Sequence, residues 1–256
     1  MSMGRAETKS FKRSERDHLR DRGRMSPSPE KGGASKAPPA RQIEKSSCCV
    51  LITGFRGFPG ARFNPTARLV KTLARIRRPA FAQARTVTHV FSTQYAAVDR
   101  ELPELIRQHR PDVILMLGLA ARSKHLRIET RARNAFSILA ADAQGFAPRH
   151  GAIRMGAPGD RRASISSVRV LAAARGFGVR TKLSRDAGGY VCNYLYWRAL
   201  EYAERMSKPA LVQFVHVPQI KNGSSRMQNA NRPSFAKLAG ALQALLVELI
   251  AQARRP

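Results

Sequence analysis

The chain has 256 residues, with 46 Lys+Arg against 17 Asp+Glu and a formal net charge of +29. That length can bury one core of ordinary size, and a 43% hydrophobic content excludes a wholly disordered basic tail. No run approaches the ~18 consecutive apolar residues of a membrane span, residues 1–47 contain no apolar signal region, and three cysteines make no disulfide framework. A reducing, cytoplasmic setting without membrane attachment is therefore expected.

The charge is unevenly placed. Residues 1–47 hold 12 Lys+Arg and 6 Asp+Glu, and residues 48–256 hold 34 and 11, so the second part is basic in its own right. Such a surface attracts polyanions at low salt. Yet the chain has one Trp and no interleaving of aromatic and basic residues, so nucleic acid is not expected as a partner. Solvated arginines spread over the surface are the simpler reading.

In chain order, residues 1–47 are rich in Arg, Lys, Ser, Gly and Pro and lack hydrophobic periodicity. They are expected to be a disordered basic extension, with one domain over 48–256. Cys48–Phe55 is an apolar run that predicts a buried strand, followed by the glycine-rich Gly54–Gly60 loop. Asn64-Pro65-Thr66 predicts a helix start, with Asn as cap and Pro at the first helical position; Leu69, Val70, Leu73 and Ile76 supply its apolar face. Arg85–Phe91 predicts a strand and Tyr95–Gln108 a helix, interrupted in pattern by Pro103. Asp112–Leu119 is hydrophobic without alternation, as in a strand buried on both faces. A helix over Ala163–Arg175, a strand over Val179–Leu183, a helix over Val191–Arg205 and a strand over Ala210–Val217 follow. Phe235–Ala253 closes the chain as an amphipathic helix. Its ~14 apolar-patterned residues read as core cover or an oligomer contact, too few to span a bilayer. The alternation predicts a single α/β domain with a mainly parallel twisted sheet and helices on both faces.

In such sheets sites form beyond the carboxyl ends of the strands, which directs attention to the loops at Phe55, Gly118, Val191 and Val217. Cys192 follows Gly188-Gly189-Tyr190-Val191 and opens a helix. The positive end of the helix dipole and unpaired N–H groups there favour a thiolate nucleophile, against the alternative of an inert buried thiol. His216 ends a strand, where a base for a thiol belongs; a satisfied interior histidine is the alternative. Glu129 stands in the basic segment after Gly118, either as an exposed partner of arginine or as the acid that orients an imidazole. No set of His, Cys, Asp and Glu has zinc-like spacing, so neither a metal nor a cofactor is expected. Cys48-Cys49 reads as strand packing.

Three motifs then carry a family resemblance. Leu51-Ile52-Thr53-Gly54-Phe55 with Phe58, Gly60 and Asn64-Pro65, Gly189-Tyr190-Val191-Cys192-Asn193, and Phe214-Val215-His216-Val217-Pro218 resemble the pyroglutamyl peptidase I family of cysteine exopeptidases. The order matches, and so do the separations of 63 residues from Glu129 to Cys192 and 24 from Cys192 to His216. Gly118, Asn134, Asp142 and Gly145 also keep family positions. The resemblance implies Cys192, His216 and Glu129 as the catalytic set, acting through a thioester on an N-terminal pyroglutamyl residue. It implies apolar walls at Phe55 and Phe58 and an oxyanion site at the N–H groups around Tyr190, Val191 and Cys192. It implies a small peptide as substrate and a homo-oligomer, a tetramer in many bacterial members. Two positions depart: Leu119 stands for a family Gln and Leu139 for a family Arg. These departures open a second reading, the same chemistry on another small blocked acyl or amide substrate, and the basic surface opens a third, a non-catalytic polyanion-binding homologue.

Overall fold

The computed structural model describes residues 48–58, 60–157, 159–221 and 232–255, and the expected extension over 1–47 lies outside the described residues. Among the described residues, eight strands and five α-helices follow in order: β1 (Cys48–Phe55), α1 (Thr66–Ala74), β2 (Ala84–Phe91), α2 (Tyr95–His109), β3 (Val113–Leu119), β4 (Leu126–Glu129), β5 (Arg131–Arg133), β6 (Asp160–Arg162), α3 (Ser167–Arg175), β7 (Thr181–Ser184), α4 (Val191–Glu204), β8 (Leu211–Val217) and α5 (Phe235–Ala253).

Six strands form one sheet in the order β2-β1-β3-β8-β4-β7, and β5 and β6 form a separate pair. The pairs β1–β2, β1–β3 and β3–β8 are parallel. The β4–β8 pair is antiparallel, while β4 and β7 run parallel to each other. So the sheet is mainly parallel but reverses direction once, at β8–β4. That reversal brings β4 down alongside β8, with Arg127 opposite His216 and Glu129 opposite Phe214.

The continuous apolar runs of β1 and β3 have the cause the sequence suggests: both faces are covered. One core layer joins Val50, Ile52, Leu115 and Leu117 to α1, α3 and α5; the other joins Leu51, Ile114 and Met116 to α2 and α4. Leu238, Leu242, Leu245, Leu246 and Leu249 of α5 are all fully buried. Each such leucine contributes about 1.5–3 kcal/mol relative to exposure. The α5 helix has 19 residues and a mean hydropathy of 1.4, long and apolar enough to cross a membrane. This corrects the shorter sequence count, but its leucine stripe is occupied in the core.

Several boundaries differ from expectation. Asn64 Oδ1 accepts from the Thr66 N–H at 3.1 Å, the work of a cap, but the helix begins at Thr66 rather than Pro65. Pro103 lies inside α2 without ending it, because Val98, Leu102 and Ile106 hold that helix in the core. The α3 helix starts at Ser167, since Asp160–Arg162 pairs as β6 with β5 and the Ala163 N–H bonds to the Thr130 carbonyl. Glu129 lies on a strand, not in an exposed loop: Leu126 and Ile128 are core residues, and Arg127 and Glu129 take the opposite face.

Candidate active site

The site is built where β3, β8 and β4 end beside the start of α4. Gly118 of β3 pairs in register with His216 of β8. Cys192, in the first turn of α4, lies over Gly118: a Cβ added at that glycine would stand 2.9 Å from Cys192 Sγ and 2.7 Å from Phe214 Cζ. Both are well inside van der Waals contact, so only glycine lets the thiol settle onto the sheet. Gly118→Ala is expected to push the sulfur aside and to lower kcat/KM about 10²-fold, the usual cost of a ~1 Å misplacement. Steady-state kinetics, with a thermal melt to confirm the fold, checks this.

Glu129 is fully buried and His216 nearly so. His216 Nδ1 lies 2.9 Å from Glu129 Oε1. A carboxylate only accepts, so Nδ1 carries the proton, and in the neutral ring Nε2 keeps its lone pair. The same Oε1 is ion-paired with Arg127 Nη2 at 3.0 Å. The Glu129 carbonyl is itself fixed, accepting from Tyr196 Oη at 3.0 Å and Gln213 Nε2 at 2.9 Å. The ring of Phe214 lies 4.8 Å from that of His216. Imidazole and carboxylate are thus set by packing as well as by their mutual bond.

The loop before Cys192 is tied to the strands carrying the acid. Arg127 donates to Ser184 Oγ at 2.9 Å and to the Asp186 carbonyl. Thr130 N–H and Oγ1 both donate to the Ser184 carbonyl, and Arg131 Nε donates to the Arg185 carbonyl at 2.7 Å. Arg133 pairs with Asp186 at 3.0 Å. Gly188 has φ +85°, a left-handed turn that favours glycine. On the other side of the thiol, buried Asn193 accepts from the Arg133 N–H at 2.9 Å and donates to the Arg133 and Ala135 carbonyls at 2.8 and 3.0 Å. Cys192 is held between these two sets of bonds.

Burial and, second, the charge of Glu129 push the Cys192 thiol up to about 12. This runs against the expectation from the helix terminus. A helix dipole is worth about 0.3–1 kcal/mol, less than one pH unit of thiol ionisation, so burial wins. The free site therefore holds a thiol, not a standing thiolate. Inactivation by iodoacetamide is expected to be slow at neutrality and to rise about tenfold per pH unit through the alkaline range. A rate plateau already reached near pH 6 would contradict this. Cys48 and Cys49 are also raised by burial. They sit at the opposite end of β1, so loss of activity reports on Cys192.

The residues expected to hold an acyl group divide into two kinds. Phe58 and Tyr190 are half-buried and face each other with ring centroids 6.4 Å apart. Tyr190 Oη donates to the Ala141 carbonyl at 3.0 Å, and its ring lies 6.1 Å from that of Tyr95. Phe55 and Val191 are buried in the core beneath, Phe55 against Phe91. Leu139 is 93% exposed, and Leu119 ends β3 beside Val217. Asp142 is structural: its carboxylate accepts from the N–H groups of Tyr95, Gln144 and Phe146, fixing the start of α2 and the turn at Gly145. Arg127, Tyr196 and Gln213 escaped the sequence reading. The alternation Leu126-Arg127-Ile128-Glu129 held the signal for Arg127, since it puts both charged residues on one face of a short strand.

Comparisons with known proteins identify the family. A family model described as pyroglutamyl peptidase matches residues 48–255. The chain is 28% identical over 171 residues to the pyrrolidone-carboxylate peptidase of Pyrococcus furiosus, covering 67% of this chain and 81% of that one. It is 30% identical over 169 residues to that of Thermococcus kodakarensis, covering 66% and 80%. The crystal structure of pyroglutamyl peptidase I from Bacillus amyloliquefaciens superposes with a TM-score of 0.72 at 26% identity, over 80% of this chain and 98% of that one. With an α/β sheet that closes Glu129 onto His216 and a family match spanning the whole described domain, the chain belongs to the pyroglutamyl peptidase family of cysteine-type peptidases.

Proposed function

We propose that the protein removes an N-terminal pyroglutamyl residue from peptides, with Cys192 as nucleophile, His216 as general base and acid, and Glu129 as the group that orients the imidazole. The observation that carries this reading is the 2.9 Å bond between buried Glu129 and His216, one register pair from the glycine under Cys192 Sγ.

In this mechanism His216 Nε2 takes the thiol proton as the sulfur attacks the pyroglutamyl carbonyl carbon. Because the resting thiol is neutral, proton transfer and attack are coupled. The C–S bond forms, and the carbonyl electrons move to an oxyanion facing the N–H groups at the start of α4, where the helix dipole favours negative charge. The oxyanion collapses, the C–N bond breaks, and the imidazolium gives its proton to the departing amine. A thioester remains. His216 then takes a proton from water as its oxygen attacks the thioester, and returns one to sulfur. Glu129 stabilises the imidazolium in both halves. Phe58 and Tyr190 supply apolar walls for the lactam ring. The three cysteines are all free, which suits a thiol enzyme of the reducing cytoplasm.

The experiment is hydrolysis of a fluorogenic pyroglutamyl amide by the purified protein in reductant. Turnover with kcat/KM of about 10⁴ M⁻¹s⁻¹ or more is expected. Absence of turnover while N-acylated amides of other small acids are cleaved would replace the pyroglutamyl substrate with another acyl group.

A further inference from the structure

One group of residues near the site is not used by the mechanism above. The loop from β3 to β4, with β4 and β7, encloses a shallow depression of ≈ 600 Å³ lined by Arg122, Ser123, Lys124, His125, Arg127 and Lys182, and by no carboxylate. Arg122, Lys124 and Lys182 are exposed. Of these cations only Arg127 has an ion-pair partner among the described residues, and that partner is Glu129. Arg127 and Lys182 stand opposite each other in the β4–β7 register, so their side chains share a face. It is the face that carries Glu129 and His216.

The order of the sheet gives this depression a direction. Across β1, β3, β8, β4 and β7 the features succeed one another. The Phe58 wall follows β1, Cys192 lies over Gly118 of β3, His216 is on β8, and the basic depression lies at β4 and β7. In acyl transfer from an amide, the imidazole that took the thiol proton gives it to the departing amine. The acyl group therefore lies on the Cys192 and Phe58 side, and the rest of the peptide leaves past His216 toward β4 and β7. There it meets Arg122, Lys124 and Lys182, three cations without an ion-pair partner among the described residues.

We infer that this depression binds a carboxylate of the leaving peptide, so that the enzyme prefers pyroglutamyl peptides with an anionic group just after the scissile bond. The inference rests on the peptidase reading above. A carboxylate fits the donors: ammonium groups of Lys124 and Lys182 and the guanidinium of Arg122 all donate and none accepts. Two sources supply it, an acidic side chain at the first or second leaving residue, or the free C-terminus of a very short peptide.

The test compares kcat/KM for pyroglutamyl dipeptides. Pyroglutamyl-Ala with a free C-terminus against its amide probes the terminal carboxylate. Pyroglutamyl-Glu-amide against pyroglutamyl-Gln-amide and pyroglutamyl-Lys-amide probes the side chain. At least one anionic member is expected to exceed its neutral partner by roughly tenfold at low salt, as for charge-assisted hydrogen bonds at a partly exposed site. The ratio should shrink as salt rises from about 0.05 M to about 0.5 M and the charges are screened. Lys182→Glu is expected to reverse the order and to favour the lysyl peptide, a gain that misfolding does not produce. Equal rates for all members, or ratios unmoved by salt and by Lys182→Glu, overturn the assignment of the depression alone. Hydrolysis of none of them overturns the peptidase reading and the assignment with it.

Discussion

Cys192→Ala is expected to lower pyroglutamyl amide hydrolysis by about 10⁴-fold or more, to the background that binding and an oxyanion site alone support. Neither of the other two cysteines can replace the sulfur. Cys48 and Cys49 are buried at the far end of β1, and His216 has its Nδ1 committed to Glu129. The fold should survive, because the change removes one half-buried sulfur from the first turn of α4, costing about 1 kcal/mol. Kinetics of parent and variant beside matched thermal melts check both halves. Turnover in Cys192→Ala within tenfold of the parent would end the thioester mechanism, whatever the substrate.

Glu129→Gln is expected to lower kcat by about 10²-fold, with stability changed by ~1–2 kcal/mol. Two electrostatic effects oppose each other here. Glu129 is a secondary cause of the raised Cys192 thiol, after burial, so its neutralisation eases thiolate formation slightly. The same change takes the charge from a direct 2.9 Å partner of the imidazole, which must become positive as the thiol is consumed. The second effect wins because it acts at contact distance in a buried site, where a charged hydrogen bond is worth about 1.5–3 kcal/mol more than its absence. Gln also keeps an oxygen for Arg127, and Arg127 retains Ser184 and the Asp186 carbonyl, so the loop before Cys192 stays tied. The measurement is kcat at saturating substrate together with circular dichroism. Wild-type kcat in Glu129→Gln would remove the acid from the catalytic set and leave it a structural partner of Arg127.

The mechanism also has to account for Leu139, which departs from the family pattern. Leu139 points to solvent, so no guanidinium reaches the site from there. The structure brings a guanidinium to the Glu129 carboxylate from Arg127, two residues earlier on the same strand face. Its ion pair with Glu129 and its hydrogen bonds to Ser184 and the Asp186 carbonyl link the carboxylate to the loop before Cys192 in one step. The cation at the acid is thus the one whose neighbour across the register, Lys182, begins the basic depression.

How far the sequence alone determined this protein follows from the range of the forces involved. Local patterns were enough for what local physics controls. The unbroken apolar runs at Cys48–Phe55 and Asp112–Leu119 gave buried parallel strands, since residues shielded on both faces need no alternation. The leucines of Phe235–Ala253 gave a core helix from their 3.6-residue spacing. Cys192 and His216 stand out as candidates because each sits at an element boundary marked by glycine or proline, where an α/β sheet exposes its chemistry. The tertiary structure decided what depends on which strands lie side by side. Nothing near Glu129 in the chain says that β4 runs antiparallel to β8; that single reversal moves the carboxylate from an exposed basic segment to full burial against an imidazole 87 residues away. The state of the thiol was decided there too. The sequence shows a helix start, which lowers a thiol's ionisation cost, but only packing over Gly118 and proximity to Glu129 reveal the burial and the negative charge that raise it. Desolvation is a property of everything around a group, and that is set by the assembled sheet rather than by its neighbours in the chain.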